Sequence, residues 1–355
     1  MSFYDTSELM IALEKLDIVD EAHDRALLDL WIHDFGACVF SAADEVGIFV
    51  ALAQGSQTVA QLADRLRLEP SALLAVCRAL VSLQGLVESN DTFDLSAFSQ
   101  AVWVKQTPCY RGREFDRHRD WEQHQRIVDT LEGRWAPIDD GQRPFSEGWR
   151  DGDVDPQAAY RFTRVMHSMI FLPSLAAARS GALSEVRHLL DVGGGSGIFS
   201  AALIAHQPEV SACVLDLPQV CEASRRILRP YETAARVKYH PCNFFHDPWP
   251  AEVDGVWLSN VLHDWPVETC KTLLKKAYHS LPIGGRIVIH EALLDACRCS
   301  PRFTTLFHLL MLMNHRGQQF TKEDLFGLLL DCGFTQPRVV FGYSVWSVIE
   351  GRKTI

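Results

Sequence analysis

The chain has 355 residues, 47% of them hydrophobic, which suffices for one large domain or two ordinary ones with a sizeable core. Its formal charge of −11 at pH 7 argues against a nucleic-acid partner, which calls for a basic face, and no run of apolar residues reads as a membrane span. Met1-Ser2-Phe3-Tyr4-Asp5 lacks the pattern of a signal peptide, and the ten cysteines are dispersed, with Cys297-x-Cys299 the one close pair; reduced thiols in the cytoplasm and no metal site are expected.

Residues 8–104 read as mostly helical, and Leu27, Leu28, Leu30, Trp31, Phe35, Val39 and Phe40 recur at helical spacing over a broad apolar face. Thr58 is placed to cap a helix over Val59–Arg67; Pro70 suits the first turn of the next, Ser71–Leu83, and Gly85 reads as its stop. Phe93-Asp94-Leu95, after the turn Asn90-Asp91, reads as a small strand. This order is a winged-helix pattern, used either to bind DNA or to pack and dimerise. A recognition helix brings Arg, Lys, Asn or Gln to base edges, whereas the second helix here offers one basic residue, Arg78, so packing is the preferred reading.

Residues 105–156 change character. The run from Arg111 to Trp121 is dense in both charges, and Asp139-Asp140-Gly141 and Asp151-Gly152-Asp153 are turn signals. The segment reads as a connector with one or two helices, either near a substrate entrance or simply solvated. From 157 onward strands and helices alternate: strands at Arg187–Val192, Ala212–Leu217, Val237–His240, Gly255–Asn260 and Arg286–His290, then a final pair, Arg338–Tyr343 and Val345–Glu350. Helices fall at Ile198–Ala205, Gln219–Leu228, Val267–Ser280 and Lys322–Cys332. The alternation implies an α/β domain whose mostly parallel sheet carries helices on both faces and gathers ligands at the carboxyl ends of its strands.

The most informative stretch is Leu189-Leu190-Asp191-Val192-Gly193-Gly194-Gly195-Ser196-Gly197. Its glycines permit a tight turn and bring a ligand close to main-chain N–H groups. A dinucleotide fingerprint wants G-x-G-x-x-G, but the third position falls on Ile198, and the spacing is D-x-G-x-G-x-G, as in motif I of S-adenosylmethionine (SAM) dependent methyltransferases. Asp216 closes the second strand, 21 residues after Gly195, where an acidic side chain meets ribose hydroxyls or, alternatively, caps the helix after Pro218. In Cys242-Asn243-Phe244-Phe245 the polar side chain and the aromatic can take the edge and face of adenine, or Phe244 can be plain core.

Leu-Asp-Val-Gly-Gly-Gly-Ser-Gly (190–197), Leu-Asp-Leu-Pro-Gln-Val (215–220), Asn-Phe-Phe (243–245), Val-Leu-His-Asp-Trp (261–265) and Leu-Pro-Ile-Gly-Gly-Arg-Ile-Val-Ile-His-Glu (281–291) stand in one order. In that order they resemble the plant-type and bacterial small-molecule O-methyltransferases, which include caffeate, hydroxyindole and polyketide-tailoring enzymes. The resemblance covers nearly the whole chain. It implies a helical winged-helix dimerisation domain (1–104), the connector (105–156) and a Rossmann-like class I methyltransferase domain (157–355) working as a homodimer. It implies SAM as cofactor, held by Asp191, Gly193, Gly195, Asp216, Leu217, Asn243, Phe244 and Ser259.

By the same resemblance His263 is the base that deprotonates an acceptor hydroxyl, and Glu291 holds it and stabilises the imidazolium. Asp264 either orients a ring or caps the following helix. The family usually has a second glutamate before the Thr that opens the late helix, where this chain has Gln319, and aspartate where it has Asn243. Phe162, Met166, Met169 and Ile170 on one helix face, with Met311 and Asn314 on another, line an aromatic-acceptor pocket by resemblance, although either stripe read alone suits core packing. The implied reaction is O-methylation of a phenolic or enolic hydroxyl on a small aromatic metabolite. The alternative is a SAM-retaining relative with other chemistry: C- or N-methylation, or a non-methylating rearrangement or hydroxylation.

Overall fold

The cap expected at Thr58 is a full capping box. Its hydroxyl accepts from the Gln61 N–H at 3.3 Å while the Gln61 side chain accepts from the Thr58 N–H at 2.9 Å. The computed structural model describes residues 10–134 and 145–354, so Met1–Asp5 and the turn signal Asp139-Asp140-Gly141 lie outside the described residues. Contacts divide the chain into two units: Arg25–Phe145 with Leu293–Thr321, and Met1–Asp24 with Ser146–Ala292 and Lys322–Ile355.

The first unit begins with α1 (Glu21–Glu45) and α2 (Ile48–Leu52), followed by β1 (Gln57–Thr58), α3 (Val59–Leu66), α4 (Pro70–Ser82), β2 (Leu86–Ser89), β3 (Thr92–Leu95), α5 (Ala97–Val102) and α6 (Glu122–Leu131). Pro70 occupies the first turn of α4, and Glu69 caps it by accepting from the Ala72 N–H at 2.7 Å. β2 and β3 form a hairpin over Asn90 and Asp91, both left-handed, and β1 pairs with β3. The stop after α4 differs from expectation. The left-handed residue is Gln84 (φ 64°), and Gly85 is required by packing, since a Cβ there would lie 2.7 Å from the ring of Phe40. Leu28, Phe35, Val39 and Phe40 of α1 are buried, but Leu27, Leu30 and Trp31 are 63%, 72% and 49% exposed, so the unit covers part of that apolar surface. By length and composition α1 would span a membrane, yet half of its most apolar window is buried in the protein.

The second unit holds α7 (Phe145–Asp151), α8 (Pro156–Arg179), β4 (His188–Val192), α9 (Ile198–His206), β5 (Ser211–Asp216), α10 (Pro218–Leu228), β6 (Lys238–Pro241), β7 (Gly255–Ser259), α11 (Val267–Ser280) and β8 (Arg286–Ala292). After α12 (Arg302–His315), the chain completes this unit with α13 (Lys322–Asp331), β9 (Thr335–Tyr343) and β10 (Trp346–Arg352). The sheet order is β6-β5-β4-β7-β8-β10-β9, parallel from β6 to β8 and antiparallel at β10 and β9. The central strands β4, β5, β7 and β8 are buried along nearly their whole length because both faces are covered, whereas the edge strands β6 and β9 are largely unburied; Trp257 on β7 stacks on Phe199 of α9 with centroids 3.6 Å apart. Strand order reverses at β4, whose neighbours are β5 and β7, and this places a crevice at the carboxyl ends of those strands.

The boundaries 1–104, 105–156 and 157–355 read from the sequence differ from these units. Residues 293–321 cluster with the N-terminal helices: α12 packs on α4, and Phe303 and Phe307 stack at 5.2 Å and meet Trp31 at 6.0 and 6.3 Å. The connector is split, with α6 in the first unit and α7 in the second.

Candidate active site

The glycine loop leaves β4 with Gly193, Gly195 and Gly197 all left-handed, at φ 65°, 54° and 73°. At Gly193 a Cβ would meet Val261 at 2.8 Å, so glycine is dictated by the protein itself. At Gly195 a Cβ would meet nothing within 4 Å, which leaves that main chain open to a ligand. Asp191 is buried and accepts from the Ser200 hydroxyl at 2.7 Å. Burial pushes its pKa up to about 7, with the Ser200 bond working against the shift and the Asp216 charge adding to it. Asp216 ties two motifs together: its carboxylate accepts from the N–H of Gly195 at 3.0 Å and of Leu217 at 2.8 Å. Burial pushes its pKa up to about 6 against those two bonds. It does not cap α10, whose first turn receives no side-chain bond.

At the end of β6 the Asn243 carbonyl accepts from the Phe245 N–H at 2.9 Å, and its amide donates to the Arg150 carbonyl at 2.6 Å. Phe244 is half-buried, and its ring lies 3.6 Å from where a Cβ on Gly193 would stand. At the end of β7 the Ser259 hydroxyl lies 2.9 Å from His290 Nδ1. His290 is buried beside Trp257, and that burial pushes its pKa down to about 3, leaving it neutral.

His263 follows β7 on a short 3-10 turn, Leu262–Asp264, and Glu291 lies on β8 beside it. His263 Nδ1 lies 2.7 Å from Glu291 Oε2, and Nε2 lies 3.5 Å from Asp264 Oδ1. Burial alone would push the imidazole pKa down; the charges of Glu291 and then Asp264, with the Glu291 hydrogen bond, outweigh it and push it up to about 9. The N-cap position of α11 is taken by Pro266, which offers no side-chain cap.

With this edge of the sheet assembled, similarity to known proteins decides the family. Residues 141–335 match the O-methyltransferase domain. The chain is 31% identical over 310 residues to 3-hydroxy-5-methyl-1-naphthoate 3-O-methyltransferase of Streptomyces sahachiroi, covering 84% of this chain and 86% of that one. The chain belongs to the O-methyltransferase family. It is a SAM-dependent methyltransferase. It is also similar to the N,N-dimethyltransferase OxyT of Streptomyces rimosus, 28% identical over 83% of this chain and 84% of that protein. The fold matches that of an O-methyltransferase family 2 protein from Planctomyces limnophilus, solved with apigenin, at TM-score 0.78 and 22% identity over 98% and 100% of the two chains.

The methyltransferase's crevice fits the cofactor: an open backbone at Gly195, an acceptor carboxylate at Asp216 and an aromatic ring at Phe244. On α8, Ile170 is buried in the core, and Met166 and Met169 pack against that core, so this stripe is at least partly structural. Phe162 is half-buried against Trp149 at 5.1 Å. The remaining three predicted residues belong to the other unit. There Met311 is buried, and Asn314 Oδ1 accepts from the Arg126 guanidinium. Gln319 is wholly buried, its N–H donates to His308 Nδ1 at 3.0 Å, and neither end of its side-chain amide has a hydrogen-bond partner. Among the described residues no group of three His, Cys, Asp or Glu is placed to hold a metal, and all ten cysteines are free.

Sequence reasoning left His167 without a role. Its Nδ1 lies 3.0 Å from the hydroxyl of Ser196 in the glycine loop, and its Nε2 lies 3.2 Å from the hydroxyl of Tyr231. Burial pushes its pKa down to about 4, so it braces the loop as a neutral ring. A histidine 29 positions before Ser196 carries no local signal for such a bond; the pairing exists only once α8 packs on α9 and α10.

Proposed function

We propose that the methyltransferase methylates a phenolic or enolic hydroxyl of a small aromatic metabolite, with His263 as general base. The observation that carries this reading is the buried His263–Glu291 pair at the carboxyl edge of the sheet, beside the glycine loop's strand. SAM, when bound, supplies a methyl group activated on a sulfonium. Asp216 accepts the ribose hydroxyls, and the main chain at Gly193 and Gly195 admits the ligand closely. Leu217 and Ser259 line the same edge, with Asp191 bracing the loop from beneath. Phe244 faces adenine, and Asn243 offers the second lone pair of its carbonyl, the first being held by Phe245.

Glu291 fixes Nδ1, so Nε2 is the atom that takes the acceptor proton. A phenol has a pKa of about 10, close to the value near 9 of His263, so the transfer is nearly balanced. The imidazolium formed is stabilised by Glu291 and Asp264. General-base catalysis of this kind contributes about 10²–10⁴-fold, on top of what alignment supplies. Glu291 is the full carboxylate bonded to the base. Phe162, Met166 and Met169, on α8, supply acceptor contacts. The relative that by its name methylates a hydroxynaphthoate supports an aromatic hydroxyl acceptor.

The enzyme works as a cytoplasmic homodimer, with the exposed Leu27, Leu30 and Trp31 of α1 as contact surface. Incubation with SAM and a panel of hydroxylated aromatics, read by mass spectrometry, should show one added methyl on oxygen and stoichiometric S-adenosylhomocysteine. Methyl on nitrogen would favour the second reading, an N-methyltransferase, for which the relative named as an N,N-dimethyltransferase speaks. A changed product without S-adenosylhomocysteine would exclude both.

A further inference from the structure

The end of α7 and the loop after it, Trp149–Val154, belong to the second unit and are tied to the carboxyl edge of its sheet. Gly152 closes α7 as a left-handed cap at φ 77°, with the Asp153 N–H donating to the Gly148 carbonyl at 3.0 Å. Asp216 and Pro241 pair at the ends of β5 and β6, so Leu217, Gln219 and Asn243 stand just beyond adjacent strand ends. The Asn243 amide donates to the Arg150 carbonyl at 2.6 Å, and the Gln219 amide donates to the carbonyls of Gly152 at 3.2 Å and Val154 at 3.1 Å. A Cβ on Gly152 would lie 3.5 Å from both the Asn243 amide nitrogen and the Leu217 side chain. Trp149 packs on the buried cluster of Ala159, Leu217 and Val220, and the Arg150 guanidinium stands 5.9 Å over the ring of Phe245.

The direction of the Asn243 amide is fixed by its neighbours. Its Oδ1 accepts from the Phe245 N–H within its own turn, which leaves Nδ2 facing the Arg150 carbonyl; reversed, the amide would set like against like at both ends. The turn needs only an acceptor, and an aspartate would serve it equally. The bond to Arg150 needs a donor, which a carboxylate lacks. Asn243 therefore holds its own turn with one end of its amide and α7 with the other. By the reading above, Asp216 and Phe244 hold ribose and adenine at these same two strand ends. A loop tied to Gln219 on one side and to Asn243 on the other walls in that nucleoside.

We propose that Asn243 and Gln219 are positioning residues that fasten the Trp149–Val154 loop over the nucleoside half of SAM, so that their three bonds to its main chain set how tightly the cofactor is held. The proposal rests on the placement of ribose at Asp216 and adenine at Phe244.

The test uses the full chain with S-adenosylhomocysteine, by calorimetry and by trypsin cleavage after Arg150 read by mass spectrometry. The ligand should slow that cut at least about fivefold, because cleavage follows the population in which the loop has opened. Asn243→Asp keeps the acceptor for the Phe245 N–H and loses the donor to Arg150, while Gln219→Met keeps the length of the side chain and loses both of its bonds to the loop. Each should bind the ligand about tenfold more weakly and lose most of the protection at Arg150. A cut that the ligand does not slow in the unsubstituted chain overturns the proposal. So does an unchanged affinity in Gln219→Met, which would mean that Asn243 acts on the ligand alone. Asp216→Asn separates the proposal from the reading beneath it. Normal binding in that variant would put the nucleoside elsewhere and sink both; weak binding there, with normal binding in Asn243→Asp and Gln219→Met, would keep the ribose assignment and overturn the fastening alone.

Discussion

Nδ1 of His263 and Oε2 of Glu291 are 2.7 Å apart, and neither side chain reaches solvent appreciably. The pair combines two effects of opposite sign. Burial disfavours a charged imidazole, and the adjacent carboxylate favours it more strongly, so the proton is held more tightly than on a free histidine. A base held this way is mostly protonated at neutral pH and able to take a phenolic proton only after losing its own.

The pH dependence of turnover follows. With the imidazole pKa near 9, the neutral form at pH 7 is scarce and grows with pH. kcat/KM should rise about tenfold per pH unit from 7 toward 9 and then level off. An acceptor bound as phenolate beside an imidazolium has the same pH dependence, so the limb holds for either proton placement. A profile flat from 6 to 9 would remove His263 from proton transfer.

Glu291 acts through His263, and its removal should be visible in that limb. In Glu291→Gln the carboxylate charge is lost while burial remains, so the imidazole pKa falls. The rising limb should move to lower pH by at least about one unit, with a lower plateau because the imidazolium loses its counter-charge. A plateau loss with the limb unmoved would mean that Glu291 is merely structural.

These groups were legible in the sequence to different degrees, for physical reasons. The glycine loop, Asp216, Asn243 and His263 each close a strand or follow one, so a correct alternation of strands and helices put all of them on one edge of the sheet. The bond between Asp216 and the Gly195 N–H was not legible, nor were the His167–Ser196 contact and the Arg126–Asn314 pair, which join residues 21, 29 and 188 positions apart. Periodicity reports which face of an element is apolar and says nothing about which element covers it. That is why α12 looked like part of the SAM domain while clustering with α4, and why the apolar face of α1 could be read without showing that Leu28 and Phe35 are buried while Leu27, Leu30 and Trp31 lie exposed.

SAM affinity should fall on acidification. Asp216 must be ionised to accept two ribose hydroxyls, and its pKa in the ligand-free protein stands at about 6. Above that value the carboxylate is ready; below it, binding must first expel a proton, at a limiting cost of about tenfold in affinity per pH unit. Calorimetry between pH 5 and pH 8 should show this decline, and Asp216→Asn should bind weakly throughout. An affinity independent of pH over that range would contradict the ribose assignment.

Gly85→Ala tests packing in the helical unit. The added methyl would stand 2.7 Å from the ring of Phe40, which is itself enclosed by Trp103 at 4.9 Å, Phe49 at 5.9 Å and Phe98 at 6.1 Å. That ring has little room to retreat, so the substitution should cost about 1–3 kcal/mol in denaturant unfolding. A neutral result would mean that the aromatic cluster repacks freely.

Gly195 separates a ligand's demand for glycine from the protein's own. At Gly193 an added methyl collides with Val261 at 2.8 Å, so Gly193→Ala should lose stability and SAM binding together. At Gly195 the methyl enters space that no protein atom occupies within 4 Å, and the backbone cost at φ 54° is about 1–2 kcal/mol. If that space belongs to the cofactor, Gly195→Ala should stay folded with a modestly lowered Tm yet bind SAM at least about tenfold more weakly, because the main chain can no longer be approached as closely. Thermal unfolding with and without SAM reads both quantities in one experiment: the ligand-induced rise in Tm should shrink sharply while the ligand-free Tm moves little. An undiminished rise would place the ligand away from this loop.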